Sequence, residues 1–183
     1  LPSVSILFDE GQIQIFEEAQ RLLASRYSGE RLKALLRDRG EFDRELWATF
    51  GVQGWTAISI PTEFGGLDLG CLELGLLAEA CGAAVTGVPA LTTSFGVGEA
   101  LRRFGSETQQ KSWLPRLATG DAIGAISFAE GQDMLPTTPT VRFEDGRIDG
   151  YKPAVPAGGV ADVAVVLVTT TDGPALALTD LAQ

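Results

Sequence analysis

The sequence predicts an α+β protein, with an all-α N-terminal domain over residues 1–120 and an antiparallel β domain over residues 121–183. Three observations carry this. Apolar residues recur at helical spacing behind repeated capping signals as far as Gly120. Beyond Gly120 the pattern changes to short, β-branched apolar runs. Between two of those runs stands Asp145-Gly146, the dipeptide of a tight type I′ hairpin turn. Helices first and strands second is the α+β order.

The first helix opens on Asp9 as N-cap with Gln12 at N3, and Phe8 and Ile13 form a hydrophobic staple. Ile15, Phe16, Ala19, Leu22 and Leu23 then mark its buried face up to Arg26. Leu32, Leu35 and Leu36 give a short second helix. A third is capped by Asp43, stapled by Phe42 and Trp47, and stopped near Gly51. Pro61-Thr62-Glu63-Phe64-Gly65-Gly66 reads as a loop. Asp68 is the expected cap of a helix carrying Leu69, Leu72, Leu76 and Ala80 that ends before Gly82. Residues 90–104 are helical, and Ser106-Glu107-Thr108-Gln109 is a capping box opening the helix of Trp113, Leu114 and Leu117. Strands are expected over 122–128, 140–144, 147–155, 163–170 and 175–178, with 163–170 apolar enough for burial on both faces. No closing helix or polar tail precedes Gln183, so the β domain is expected to be incomplete there.

Composition excludes several chemistries. The chain has 183 residues, enough to bury roughly two-thirds of its unfolded surface. It carries 14 Lys+Arg against 24 Asp+Glu, and the resulting charge of −10 repels phosphate backbones and anionic lipid. Nucleic acid and membrane are therefore not expected partners. There is no histidine, so no His-ligated zinc, Ser-His-Asp triad or Cys-His dyad forms within these residues. Cys71 and Cys81 read as free thiols, without a CxxC motif. The start lacks the pattern of a signal peptide, and the most apolar strip, residues 160–168, is too short to span a bilayer. A soluble cytoplasmic protein is the expectation.

Candidate chemistry is sparse. Gly96-Val97-Gly98-Glu99-Ala100-Leu101 echoes part of a dinucleotide fingerprint, but it lies inside a helix with no strand before it. Small residues for close packing explain it better. Of the acids, only Glu130 follows a strand end where ligands usually bind, and a structural hydrogen bond to a turn is its expected role.

Five motifs in order are similar to the acyl-CoA dehydrogenase family. Pro61-Thr62-Glu63-Phe64-Gly65-Gly66-Leu67, after Gly54-Trp55, resembles its P-E-x-x-G-G-x-G loop. Phe104-Gly105-Ser106-Glu107-Thr108-Gln109-Gln110-Lys111 and Trp113-Leu114-Pro115-Arg116-Leu117-Ala118-Thr119-Gly120 resemble F-G-T-x-x-Q-K-x-x-x-L-P-x-L-A-x-G. Asp149-Gly150-Tyr151-Lys152 and Ala161-Asp162 resemble N-G-x-K and the following A-D strand.

The resemblance implies a helical domain, a β middle domain and a C-terminal helical bundle that these residues do not include. It implies FAD-dependent α,β-desaturation of an acyl-CoA thioester, with the flavin as hydride acceptor and one carboxylate as base. The family's Glu base belongs to or adjoins the bundle, a position beyond Gln183, so no residue here takes that catalytic role. An oligomer, homo- or heteromeric, dimer or tetramer, is implied, with an electron-transfer flavoprotein or another acceptor downstream. By the same resemblance, Phe128, Ala129, Gln132, Ala154, Val155 and Pro156 fall on the cofactor-binding stretches. Ala129 replaces a Thr that faces the flavin, Gln132 takes the place of a pyrophosphate-binding Ser, and Pro153-Ala154-Val155-Pro156 replaces W-I-T. These departures leave two readings open: a divergent flavin dehydrogenase, or a degenerate partner subunit as in some bacterial steroid-catabolic α2β2 assemblies. Thr92 and Gly96 fall on the helix that lines the acyl cavity, where small residues suit either a roomier pocket or close helix packing.

Overall fold

The computed structural model describes residues 8–26, 28–37 and 42–181. Gln183, the expected limit of the β domain, lies outside the described residues. Helices α1 (Glu10–Arg26), α2 (Gly29–Arg37), α3 (Arg44–Val52) and α4 (Cys71–Ala84) come first. A π-helical segment, Leu91–Gly98, runs directly into α5 (Glu99–Phe104), and α6 (Glu107–Thr119) closes the helical part. The strands are β1 (Gly124–Ser127), β2 (Arg142–Glu144), β3 (Arg147–Asp149), β4 (Val163–Thr170) and β5 (Gly173–Asp180).

Three of the four expected caps act as caps. Asp9 accepts from the Gln12 amide at 2.9 Å while Gln12 Oε1 accepts from the Asp9 amide at 3.0 Å. Asp43 accepts from the Leu46 amide at 3.0 Å, and Ser106 accepts from that of Gln109 at 3.3 Å. Asp68 does not cap α4. Its amide donates to Ile60 O and its φ is 54°, so the chain is still folding back over Ala57, Ile58 and Ile60 at that point. Gly70 is the cap residue instead, and Glu73 Oε2 accepts from its amide at 2.8 Å. Gly66 makes that fold-back possible, because a Cβ there would lie 1.8 Å from Ile60 O. α4 also runs through Gly82 to Ala84, ending on Val85 in the left-handed region.

The sheet is mixed. β4 pairs antiparallel with β5 but parallel with β1, and one bridge joins it in parallel to β2. The long connection from β1 to β4 is what allows parallel pairing, which no tight hairpin permits. The expected hairpin forms, with Asp145 at φ 48° and Gly146 at φ 76° as a type I′ turn requires. β3 stops at Asp149 instead of reaching Val155, since Gly150 sits at φ 141° and Pro153 and Pro156 cannot donate to a ladder.

β4 is buried on both faces, as its composition predicts. Val163 and Val165 pack with Val97, Leu101, Trp113, Leu114 and Leu117 of the helices. Ala164, Val166 and Val168 join Ala125, Val141 and Ala177 on the other side. A separate cluster under α1, α3 and α4 holds Leu23, Phe50, Leu74 and Trp55. Helices and sheet thus share one core layer. The seam is also held by polar bonds from Trp47 Nε1 to Gly120 O at 2.9 Å and from Thr56 Oγ1 to Ala118 O at 2.6 Å.

Candidate functional site

Two stretches leave the sheet at one place. The first, Phe128 to Asp133, follows the C-terminal end of β1, where ligands of open sheets usually lie. It closes into a tight turn: the Glu130 amide donates to Asp133 O at 2.9 Å, the Asp133 amide donates to Glu130 O at 3.0 Å, and Gly131 has φ 59°. The second begins at Lys152. Its ammonium reaches back to donate to Phe128 O at 3.1 Å and to Glu130 Oε1 at 2.6 Å. The Lys152 and Glu130 side chains are only 6% and 13% exposed.

Glu130 has further partners. Its carboxylate accepts from the Thr140 amide at 2.7 Å, the Thr140 hydroxyl at 2.8 Å and the Val141 amide at 3.2 Å. Lys152 first, then these donors, hold its carboxyl down at about 2, well below the usual range. The charge is fully occupied in pinning three segments together. Glu130 is a structural anchor, as expected; that Lys152 is its partner is a tertiary fact without a local sequence signal. Glu130 is thus no stand-in for the family's base, whose expected position falls after Gln183 and so outside the described residues.

The six residues expected on the cofactor side differ in placement. Phe128 is half-buried against the helix–sheet core and Ala129 is buried. Gln132 is exposed on the turn, Ala154 and Pro156 are exposed, and Val155 packs half-buried beside the outer sheet core. Five of the six have no hydrogen-bonding side chain, and Pro153 and Pro156 lack even a backbone donor. Gln132 is the single polar side chain among them. The set would offer a flavin apolar surface and, for its polar edge, one side-chain donor, Gln132. Each missing bond removes on the order of 1 kcal/mol.

On the π-helical segment, Thr92 is buried and donates its hydroxyl to Pro89 O at 3.1 Å. Gly96 faces β1: a Cβ there would lie 2.4 Å from Ile126 Cδ1. Gly124 reciprocates, since its Cβ would lie 2.6 Å from Val97 Cγ2. Thr93 locks the contact by accepting from the Gly124 amide at 3.0 Å. Close packing of helix on strand therefore accounts for the glycines. Small residues still leave a cavity on another side of this segment. Between it and α4 lies an apolar pocket of about 310 Å³, lined by Leu74, Leu77, Cys81, Leu91, Phe95 and Ser94 among others. Burial pushes the Cys81 thiol up, leaving it neutral. Ser94 is 6% exposed, and its Oγ has no hydrogen-bond partner among the described residues. Thr92 and Gly96 do not line this pocket. Ser94 escapes a sequence reading because a helical serine ordinarily satisfies itself on a preceding carbonyl.

Comparison with known proteins agrees with this architecture. The family model for the acyl-CoA dehydrogenase N-terminal domain matches residues 9–121. The chain belongs to the acyl-CoA dehydrogenase family. It is 32% identical over 134 residues to the acyl-CoA dehydrogenase FadE12 of Mycobacterium tuberculosis, covering 70% of this chain and 34% of that protein. A variant of the Tcur3481–Tcur3483 steroid ACAD superposes with a TM-score of 0.85 at 28% identity, covering 93% of this chain and 48% of the other. The ChsE4–ChsE5 complex from Mycobacterium tuberculosis gives a TM-score of 0.85 at 25% identity, covering 97% and 49%. The chain thus spans about a third of this curated relative and about half of these solved chains. Among the described residues, no helix is long and apolar enough to cross a membrane.

Proposed function

We propose that this chain forms the front half of one subunit of an FAD-dependent acyl-CoA dehydrogenase assembly. In that reading it shapes the acyl pocket and the assembly while a sister chain supplies the flavin's polar contacts. The observation that carries the division of labour is the donor inventory at the cofactor side. Ala129, Ala154, Val155 and Pro156 stand on two stretches tied together by Lys152 and Glu130, and none has a side-chain donor. The two stretches are held together while their side chains, Gln132 apart, offer a flavin no donor.

The similarity to a steroid ACAD named for two components, and to a complex of ChsE4 with ChsE5, supports a heteromeric assembly. A second reading, a flavoprotein that binds FAD by itself through backbone and apolar contacts, is favoured by half-buried Phe128 beside the ring-facing position. Visible absorbance separates the two. The partner-subunit reading gives a colourless chain when expressed alone and a yellow complex after co-expression with a sister subunit. The second reading gives near one flavin per chain without any partner.

A further inference from the structure

We infer that Ser94 is a specificity residue, whose hydroxyl hydrogen-bonds an oxygen on a bulky apolar acyl group held in the pocket between α4 and the π-helical segment. The inference rests on the acyl-CoA reading above for the identity of the ligand. It deepens that reading by naming a feature of the acyl group.

Two independent observations meet at this place. The first is the pocket: about 310 Å³ with a mainly aliphatic and aromatic lining, at the lower end of the size range of small-molecule sites. Leu91 and Val85 stand 63% and 60% exposed among the lining residues, so the cavity opens outward. The second is the orphaned hydroxyl. Ser94 lines the cavity, and its Oγ is buried with no hydrogen-bond partner among the described residues. Its neighbours on the same turn are satisfied: Thr92 donates to Pro89 O, and Thr93 accepts from the Gly124 amide. The Ser94 carbonyl is engaged too, accepting from the Glu99 amide across the wide π turn. The side-chain oxygen alone is left over.

An unmade hydrogen bond in an apolar site is costly, so such groups in folded proteins usually have a purpose. The other polar side chains in this lining, Cys81 and Thr86, hydrogen-bond each other, and burial keeps the thiol neutral, which leaves Ser94 as the unengaged hydroxyl. The ligand chemistry that fits is a branched or ring-bearing hydrocarbon with one ketone or hydroxyl oxygen, placed to meet a single donor–acceptor. A pocket that hydrogen-bonds such an oxygen discriminates against the analogue lacking it more strongly than it discriminates by one methylene.

The test uses the full chain with any co-purifying partner and two CoA thioesters of one ring-bearing acid, identical except for a ring ketone. Isothermal titration with the wild type is expected to give about 5–10-fold tighter binding of the ketone. Ser94→Ala should abolish that preference, and Ser94→Thr, which keeps the hydroxyl, should retain most of it. Without ligand, Ser94→Ala should raise the melting temperature by about 2–4 °C, because it removes an unsatisfied buried group. Equal binding of the two thioesters by the wild type overturns the inference, as does a preference that survives Ser94→Ala. Ser94→Ala lowering the melting temperature also overturns it, since the hydroxyl would then serve the fold. Failure of the flavin-loaded complex to oxidise either thioester would sink the dehydrogenase reading, while the binding preference would still decide the role of Ser94.

Discussion

Lys152 Nζ lies 2.6 Å from Glu130 Oε1 and 3.1 Å from Phe128 O, so one side chain joins the two stretches that would flank a flavin. Removing the ammonium leaves a carboxylate that is only 13% exposed facing a carbonyl, without its counter-charge. Lys152→Met should therefore destabilise by about 2–4 kcal/mol, toward the lower end for a broken buried pair because Glu130 keeps some access to solvent. Glu130→Gln should cost at least as much, since it leaves the more deeply buried Lys152 ammonium without a counter-charge and turns an NH2 group toward donors. Urea denaturation of the two variants measures the difference.

The same carboxylate predicts an acid limit. Lys152 first, and then the Thr140 and Val141 donors, depress Glu130 from 4.5 to about 2. Asp43 is also depressed, chiefly by its bond to Arg31. A group depressed in the folded state stabilises fully above its unfolded pKa, and that contribution is lost as pH falls through the folded value. Stability should hold from neutral pH to about 5 and fall steadily between about 4.5 and 2. In Glu130→Gln the fall should be shallower, with one group fewer taking up a proton. Denaturant midpoints across this range test it; an unchanged slope contradicts the assignment.

Asp43 is buried and does two things at once. It caps α3 through the Leu46 amide at 3.0 Å, and it binds the guanidinium of Arg31 on α2, with Nη2 to Oδ1 at 2.7 Å. Asp43→Asn keeps a capping oxygen and loses the charge pair; Asp43→Ala loses both. The expected order is Ala worse than Asn by about 1 kcal/mol, the ordinary value of an N-cap. Equal losses would mean that the cap contributes nothing.

The two glycines at the helix–strand contact should respond unequally. A Cβ at Gly124 meets Val97 Cγ2 at 2.6 Å and Thr93 Cα at 3.2 Å, so backbone as well as side chain must give way. Gly124→Ala should cost about 1–3 kcal/mol. Gly96 meets Ile126 Cδ1 and Cγ1 at 2.4 Å but no backbone at close range, and alanine favours helix, so Gly96→Ala should cost less than Gly124→Ala. Thermal unfolding of the pair checks the order.

Local signals carried most of the fold. Asp9, Asp43 and Ser106 each cap the helix that they precede in sequence, because a cap is written within four residues of its helix. The Asp145-Gly146 turn was legible for the same reason. Asp68 misled because a tertiary fold-back onto Ile58 and Ile60 claims its segment before α4 begins. The parallel pairing of β1 with β4 spans 39 residues at Gly124 and Val163, beyond any local pattern. At the site, the motif comparison singled out two stretches that Lys152 ties together in space, and the scarcity of side-chain donors on them was visible in the sequence. The Lys152–Glu130 pair and the unpartnered Ser94 were not, since both are defined by what lies across space from them.

Flavin absorbance of the full-length protein tests the central claim most directly, measured on the chain alone and again after co-purification with a sister subunit. The donor-poor half-site predicts a colourless chain alone and a yellow complex, with Ala129→Thr raising flavin retention in that complex. A chain that purifies alone with near one tightly bound FAD would contradict the account.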